Sequence, residues 1–252
     1  MKIYRFLLHN HETIGVGEPD RIWRYTGSSV FDIGKIDEAR PTPMAEAILL
    51  PPVSPSKIVA VGRNYADHAK ELGNEAPPEP ILFLKPPTAL LAPNRTIVRP
   101  PQSQRVDHEG ELAIVIGREA KNVKRADWRD YVLGFTCAND VTARDLQKKD
   151  IQFTRGKGFD TFCPIGPCIA TDLDPSKLEL TTRVNGEVRQ HGNTEQMIFP
   201  CDFLIEFISS VMTLLPGDVV LTGTPAGVGP LHAGDEVEVE IEGIGTLRNH
   251  VA

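Results

Sequence analysis

The stretch Glu109-Gly110-Glu111-Leu112-Ala113-Ile114-Val115-Ile116 decides how the rest of the chain is read. Its aliphatic, β-branched run ends at Gly117 and has the composition of a strand. A strand sends successive side chains to opposite faces, so Glu109 and Glu111 point the same way, about 7 Å apart at Cα. Leu112, Ile114 and Ile116 continue the opposite face as core, and Gly110 keeps that face small between the two acids. Two carboxylates so placed can share one cation. An exposed edge strand carrying two acids has the same pattern.

Working outward, Val132 to Ala138 predicts another strand, and Asp140 follows its last residues directly. Just beyond, Thr142 and Asp145 have the spacing of a capping box, which predicts a helix start there. Asp140 thus stands at a strand end beside a helix start, a position suited to a third ligand. Three hard oxygen donors leave room for water and two substrate oxygens. That set suits Mg²⁺ or Mn²⁺, whereas zinc more often recruits His or Cys.

Upstream, Ile58-Val59-Ala60-Val61 reads as a strand, Gly62 as a turn, and Asn64 to Leu72 as a short helix with Asn64 as N-cap and Gly73 just past its end. Pro77, Pro78 and Pro80 prevent continuation, so the helix is expected on a mobile lid. His68 and Glu71 share one face of it, and a carboxylate that orients an imidazole makes a better general base. A solvated i,i+3 pair is the plainer meaning of that spacing. Lys85 and Lys157, flanked by Pro or Gly, read on spacing alone as solvated loop lysines. Arg144 and Gln147 lie three apart on the helix after Asp140, and a planar guanidinium suits a substrate carboxylate. Finally, Thr222-Gly223-Thr224-Pro225-Ala226-Gly227-Val228-Gly229 offers a threonine hydroxyl and open backbone amides to an anion, without the Gly-Lys-Ser/Thr of a nucleotide loop.

With 252 residues, 40% of them hydrophobic, the chain can bury a large core without staples. A formal net charge of -7 and the absence of basic clusters oppose nucleic acid as the main partner. No apolar run reaches the roughly 18 residues needed to cross a bilayer, and the first ten residues lack a signal-peptide core, so a cytoplasmic, non-membrane protein is expected. Cys137, Cys163, Cys168 and Cys201 show no CxxC or zinc-type spacing and read as buried free thiols. Alternating stretches at residues 2–6 and 21–25 predict a small N-terminal β meander, and the prolines between Pro41 and Pro55 mark a linker, with a short helical turn possible over Met44 to Leu50. Cys201 to Leu215 predicts a core helix through Phe203, Leu204, Phe207, Ile208, Val211, Met212 and Leu215, with Asp202 as a cap and Pro216-Gly217 as the stop. Glu236 to Glu242 alternates as a strand with one wet face.

Together these segments resemble the fumarylacetoacetate hydrolase family, through Val61-Gly62-Arg63-Asn64-Tyr65-Ala66-Asp67-His68, Leu84-Lys85-Pro86, Glu109-Gly110-Glu111-Leu112, Asn139-Asp140-Val141-Thr142-Ala143-Arg144-Asp145 and Leu221-Thr222-Gly223-Thr224-Pro225. The resemblance runs from about residue 57 to 252, on the side of the compact acylpyruvase and oxaloacetate decarboxylase members and their isomerase relatives. It implies an α+β, predominantly β fold: a mixed β-roll catalytic domain over 56–252, a small N-terminal β domain over 1–55, and a homodimer. It further implies one Mg²⁺ or Mn²⁺ per subunit on Glu109, Glu111 and Asp140, a lid dyad of His68 and Glu71, and Lys157 beside the bound substrate. Lys85, Arg144, Gln147 and Thr224 would line the pocket. The implied substrate is a short oxo acid, cleaved or decarboxylated through a pyruvate-type enolate. The alternative is isomerisation of an unsaturated 2-hydroxy dicarboxylate of the 2-hydroxyhepta-2,4-diene-1,7-dioate type, as in aromatic catabolism. A non-catalytic metal-binding relative should have lost a ligand or the dyad, and none is lost.

Overall fold

Branched and alternating apolar residues write most of this chain as strands. The structure is a computed structural model that describes every residue except Ile33. Strands of three residues or more are β1 (Lys2–Leu8), β2 (His11–Glu18), β3 (Arg21–Arg24), β4 (Ile58–Gly62), β5 (Ile81–Lys85), β6 (Val106–His108), β7 (Gly110–Ile116), β8 (Val132–Asn139), β9 (Cys163–Ala170), β10 (Glu179–Val184), β11 (Glu187–Asn193), β12 (Val219–Leu221), β13 (Glu236–Ile241) and β14 (Gly245–Val251). The α-helices are short: α1 (Ala66–Glu71), α2 (Arg144–Lys149), α3 (Thr154–Lys157) and α4 (Cys201–Val211). The result is the expected mixed, predominantly β architecture.

The acid-headed strand β7 lies deep inside the main sheet, whose order is β3-β2-β1-β9-β8-β7-β12-β4-β5. It pairs antiparallel with β8 through Glu111↔Ala138 and with β12 through Ala113↔Leu221. β12 runs parallel to β4, which makes the sheet mixed. The N-terminal meander extends this same sheet, because Lys2 and Ile3 of β1 pair with Ala170 and Ile169 of β9. A second sheet, β11-β10-β13-β14 with Thr96–Ile97 at its edge, packs across β7 and β8 and closes the roll.

Alternation along β7 feeds two cores. Leu112, Ile114 and Ile116 join Leu204, Ile205 and Ile208 of α4 and Leu180, Val239 and Ile241 of the second sheet. Ala113 and Val115 join Ile58, Ala60, Val219 and Leu221 on the other side. Both faces of β7 are therefore buried, which removes the exposed-edge reading of its two acids. Gly110 is glycine for a reason of contact, since a Cβ there would stand 2.1 Å from Thr182 Oγ1.

Several local expectations shift. α2 starts at Arg144, not Thr142: Thr142 pairs with Asp107 in a short strand and its hydroxyl donates to the Asp140 carbonyl. Asp145, freed of a capping role, accepts from Ser103 Oγ and the Gln104 amide. α4 ends at Val211, and its buried stripe is Leu204, Ile205 and Ile208, while Val211 and Leu215 are exposed. Phe203 and Phe207 instead stack in file with Phe199, centroids 5.6 and 6.1 Å apart. Pro200 holds the N-cap position, and Asp202 accepts from the Phe203 amide within the first turn. The Met44–Glu46 turn is a single 3₁₀ turn, and β13 buries Val237, Val239 and Ile241 as its alternation requires. All four cysteines are free and buried. Among the described residues no helix is long and apolar enough to cross a membrane.

Candidate active site

Two strand ends converge on one cavity of about 350 Å³. Glu109 immediately precedes β7, Glu111 is its second residue, Asp140 immediately follows β8, and one oxygen from each lies within 4.8 Å of the others. The ladder explains the meeting: Gly110 pairs with Asn139, and the Asp140 amide donates to the Glu109 carbonyl at 2.8 Å. All three carboxylates are buried.

Such crowding of negative charge needs compensation. Lys157 Nζ lies 2.6 Å from both Glu109 Oε2 and Asp140 Oδ2. Lys85 Nζ lies 2.6 Å from Asp140 Oδ1, and Arg144 Nη2 is 2.5 Å from Glu109 Oε1. Burial alone would raise Glu109, but Lys157 and Arg144 hold it well below the usual carboxylate range. Burial likewise opposes the charge on Lys157, yet Asp140 and Glu109 raise it above an ordinary lysine. Glu111 makes no ion pair among the described residues. Burial, then Asp140 and Glu109, drive it well above its ordinary value, and its carboxylate accepts only from the Gly223 amide, at 2.7 Å. The gap in positive charge lies beside Glu111, where a divalent cation could sit among the three sets of oxygens.

On spacing Lys85 and Lys157 read as solvated loop lysines, whereas they lie in β5 and α3; the resemblance placed them, with Arg144, at the pocket as groups for a substrate. The structure buries all three and commits them to the protein's own acids. Arg144 also donates to Asp107 Oδ2 at 2.9 Å and to Gln147 Oε1 at 2.7 Å, so its planar fork is not free for a substrate carboxylate. Gln147 lines the cavity and accepts from Arg144.

The lid dyad is assembled. His68 Nδ1 lies 3.2 Å from Glu71 Oε2, and a carboxylate can only accept, so in the neutral ring Nδ1 carries the proton and Nε2 the lone pair. His68 faces the same cavity as the three acids. Glu71 is fixed from behind by the Gly227 amide at 3.0 Å. The glycine-rich loop thus spends its amides on the site's own carboxylates: Gly223 on Glu111 and Gly227 on Glu71. Gly223 has φ +99°, a conformation that favours glycine. Of the loop residues, Thr224 lines the cavity, and its amide makes no hydrogen bond among the described residues. The Thr224 hydroxyl donates to the Gly110 carbonyl at 2.8 Å and accepts from Gln190 Nε2 at 2.7 Å, so toward the cavity it can act only as an acceptor.

Two residues of this framework hold it in ways the motifs did not announce. Gln190 is fully buried and uses both ends of its amide: Oε1 accepts from Gly110 N and faces His108 Nδ1, and Nε2 donates to Thr224 Oγ1 and the Pro225 carbonyl. Asn64, expected as a helix cap, leaves that role to Tyr65. Its side chain donates to the Phe199 and Thr222 carbonyls and accepts from the Phe199 amide, tying the root of the lid to the threonine loop. The positional signal for Asn64 was its place beside Tyr65 at the strand exit; Gln190 had none.

An acidic triad at strand ends, facing a helix-borne His–Glu pair across one cavity of a mixed β scaffold, defines an enzyme-type site. The chain belongs to the fumarylacetoacetate hydrolase family, whose model, Fumarylacetoacetate (FAA) hydrolase C-terminal, matches residues 57–252. It is 48% identical over 222 residues to the mitochondrial oxaloacetate tautomerase FAHD2A of Homo sapiens, covering 83% of this chain and 71% of that protein. Among solved structures it is similar to 5-carboxymethyl-2-hydroxymuconate delta-isomerase from Mycobacterium smegmatis (TM-score 0.92, 47% identity, 100% of this chain and 99% of that one). A fumarylacetoacetate hydrolase from psychrophilic Exiguobacterium antarcticum superposes with a TM-score of 0.90 at 38% identity, again covering 100% and 99%. Hydrolase, isomerase and tautomerase names therefore share this scaffold.

Proposed function

We propose that this chain is a Mg²⁺- or Mn²⁺-dependent, homodimeric enzyme that cleaves or decarboxylates short 2-oxo acids of the acylpyruvate or oxaloacetate type. The observation that carries the reading is the buried set of Glu109, Glu111 and Asp140 oxygens within 4.8 Å of one another, on the cavity that His68 also lines. The donor set fits a hard cation, being all oxygen, and Glu111 makes no ion pair among the described residues. When bound, the cation supplies Lewis-acid polarisation at the 2-oxo end of the substrate.

The chain's own residues supply the proton handling. Glu71 holds the imidazole so that Nε2 of His68 can take a proton from a water, which then attacks the distal carbonyl of an acylpyruvate. The carbon–carbon bond breaks and its electron pair goes to the pyruvate-type enolate. Lys157, kept charged by Glu109 and Asp140, donates to the developing enolate oxygen. The Thr224 amide, without a hydrogen-bond partner among the described residues, binds the substrate carboxylate in this reading. The names of the isomerase and tautomerase relatives favour a second reading, in which His68 moves a proton between carbon and oxygen or along an unsaturated 2-hydroxy dicarboxylate, and no carbon–carbon bond breaks.

The test is release of pyruvate from acetylpyruvate and from oxaloacetate with Mg²⁺, beside loss of enol absorbance without cleavage. His68→Ala should lower kcat by about 10²-fold or more while the thermal melt stays in place. Absence of any metal-dependent change on these acids ends the reading; enol loss without pyruvate transfers it to the isomerase form.

A further inference from the structure

The cations around this cavity fall into two sets. Lys85, Lys157 and Arg144 are buried and spent on Asp140, Glu109 and Asp107. Arg63 and Lys148 line the same cavity, and neither makes an ion pair or side-chain hydrogen bond among the described residues. Lys148 is exposed, so solvent and salt screen its charge. Arg63 is half-buried, where an unpaired guanidinium gains more from an anion.

The backbone at Arg63 adds an independent observation. Its φ is +58°, in the left-handed region, where Asn and Gly are at home and a long side chain is disfavoured. Neighbouring contacts impose this conformation: Asn64 is fully buried, its side chain is bonded to Phe199 and Thr222, and its carbonyl accepts from the Ile198 amide at 2.8 Å. Glycine would satisfy that turn with less strain. An arginine there sets an uncommitted positive charge on the cavity wall, alongside the apolar rings of Phe83 and Phe153.

We propose that Arg63 is a specificity-determining residue that binds the far carboxylate of a 2-oxo dicarboxylate. The substrate class is then the dicarboxylates, oxaloacetate or a longer unsaturated homologue, and not acylpyruvates with a neutral tail. The assignment rests on the oxo-acid reading above. A charge-assisted bidentate contact made by one acid and not by the other separates them by about tenfold or more in affinity.

The probes are 2-oxoglutarate and 2-oxopentanoate, five-carbon 2-oxo acids that differ only at the far end, titrated calorimetrically into the Mg²⁺-loaded protein. The wild type should bind the dicarboxylate about tenfold more tightly. Arg63→Leu should bring the two within about twofold by weakening only the dicarboxylate, and Arg63→Lys should restore part of the preference. Arg63→Gly should lose the preference while melting no lower than the wild type, since it relieves the left-handed strain. Equal weakening of both acids, or no preference in the wild type, overturns the assignment and leaves the oxo-acid reading standing. Failure of both acids to bind overturns the oxo-acid reading and the assignment with it.

Discussion

Gln190 lies in a strand of mostly exposed polar residues, yet its own side chain is fully buried and joins three separate segments. Its carbonyl oxygen serves the Gly110 amide, between the two strand-head glutamates, while its NH₂ holds Thr224 and Pro225. Gln190→Leu keeps the volume and strands those backbone and hydroxyl groups. The expected cost is about 2 to 4 kcal/mol, read as a shift of the urea midpoint at constant slope; a loss below about 0.5 kcal/mol would show that water replaces the amide without penalty. Lys157 makes the opposite kind of case. Its ammonium bridges Glu109 and Asp140 in the space where the acidic oxygens converge, so it competes for them with a divalent cation. Lys157→Met should therefore tighten Mg²⁺ binding by calorimetry while turnover falls about 10²-fold or more, because the enolate loses its donor. Weaker Mg²⁺ binding in that variant would mean that the ammonium organises the acids more than it competes with the ion. At this scale the shared face of Glu109 and Glu111 was legible from spacing, whereas Lys85 and Lys157 read there as solvated loop lysines and joined the site only through the resemblance. The partners of Gln190 were not legible, since its bonds span about 80 residues to Gly110 and 34 to Thr224.

The six-residue α1 is too short to be stable by itself, because helix nucleation is costly and so few turns repay little of it. What fixes it is tertiary: Asn64 at its root, the β-bridge between Tyr65 and Met197, and Glu71 on the Gly227 amide. Glu71→Ala cuts the last tie and also frees the His68 ring. Amide exchange over residues 66–72 should accelerate, and kcat should fall about tenfold or more with little change in substrate affinity. Unchanged exchange would show that the bonds of Asn64 alone hold the lid root. The lid helix itself was readable from Gly62, Gly73 and the prolines after it, and Gly73 does take a positive φ just beyond the helix. The cap was misread because Asn64 had stronger partners in Phe199 and Thr222 than in its own helix. α2 was misplaced for a similar reason: Thr142 is taken into a strand beside Asp107, a pairing between segments 35 residues apart. Local propensity loses wherever a distant backbone offers the polar group a buried partner.

At the scale of the molecule, alternation and composition made the β-rich class legible, and the resemblance supplied the roll. The joining of residues 2–24 to the main sheet was not legible, because strand partners are chosen by register with β9, far along the chain. One buried acid ties the proline-rich connection to that sheet. Asp218, with no exposed surface, accepts from the amides of Ser56, Lys57 and Leu215, from the Ser56 hydroxyl at 2.7 Å, and from the Lys57 ammonium. It stands immediately before β12, so these bonds fix where β12 meets β4 in parallel register. Burial pushes its carboxyl up, but the Leu215 amide, Lys57 and Ser56 outweigh that and hold it below 3.8. A carboxyl whose folded value is depressed stabilises the fold in full above its unfolded value and loses that contribution as pH falls through the folded value. Asp218→Asn keeps the shape, removes the charge, and turns one oxygen into a donor facing other donors. The variant should be less stable than the wild type by about 2 to 3 kcal/mol at pH 7 in urea denaturation. That gap should persist to about pH 5 and close as the pH drops below 3.8, because only the wild type titrates there. A gap that stays constant down to pH 3 would show that the charge of Asp218 contributes nothing and that shape alone anchors the connection.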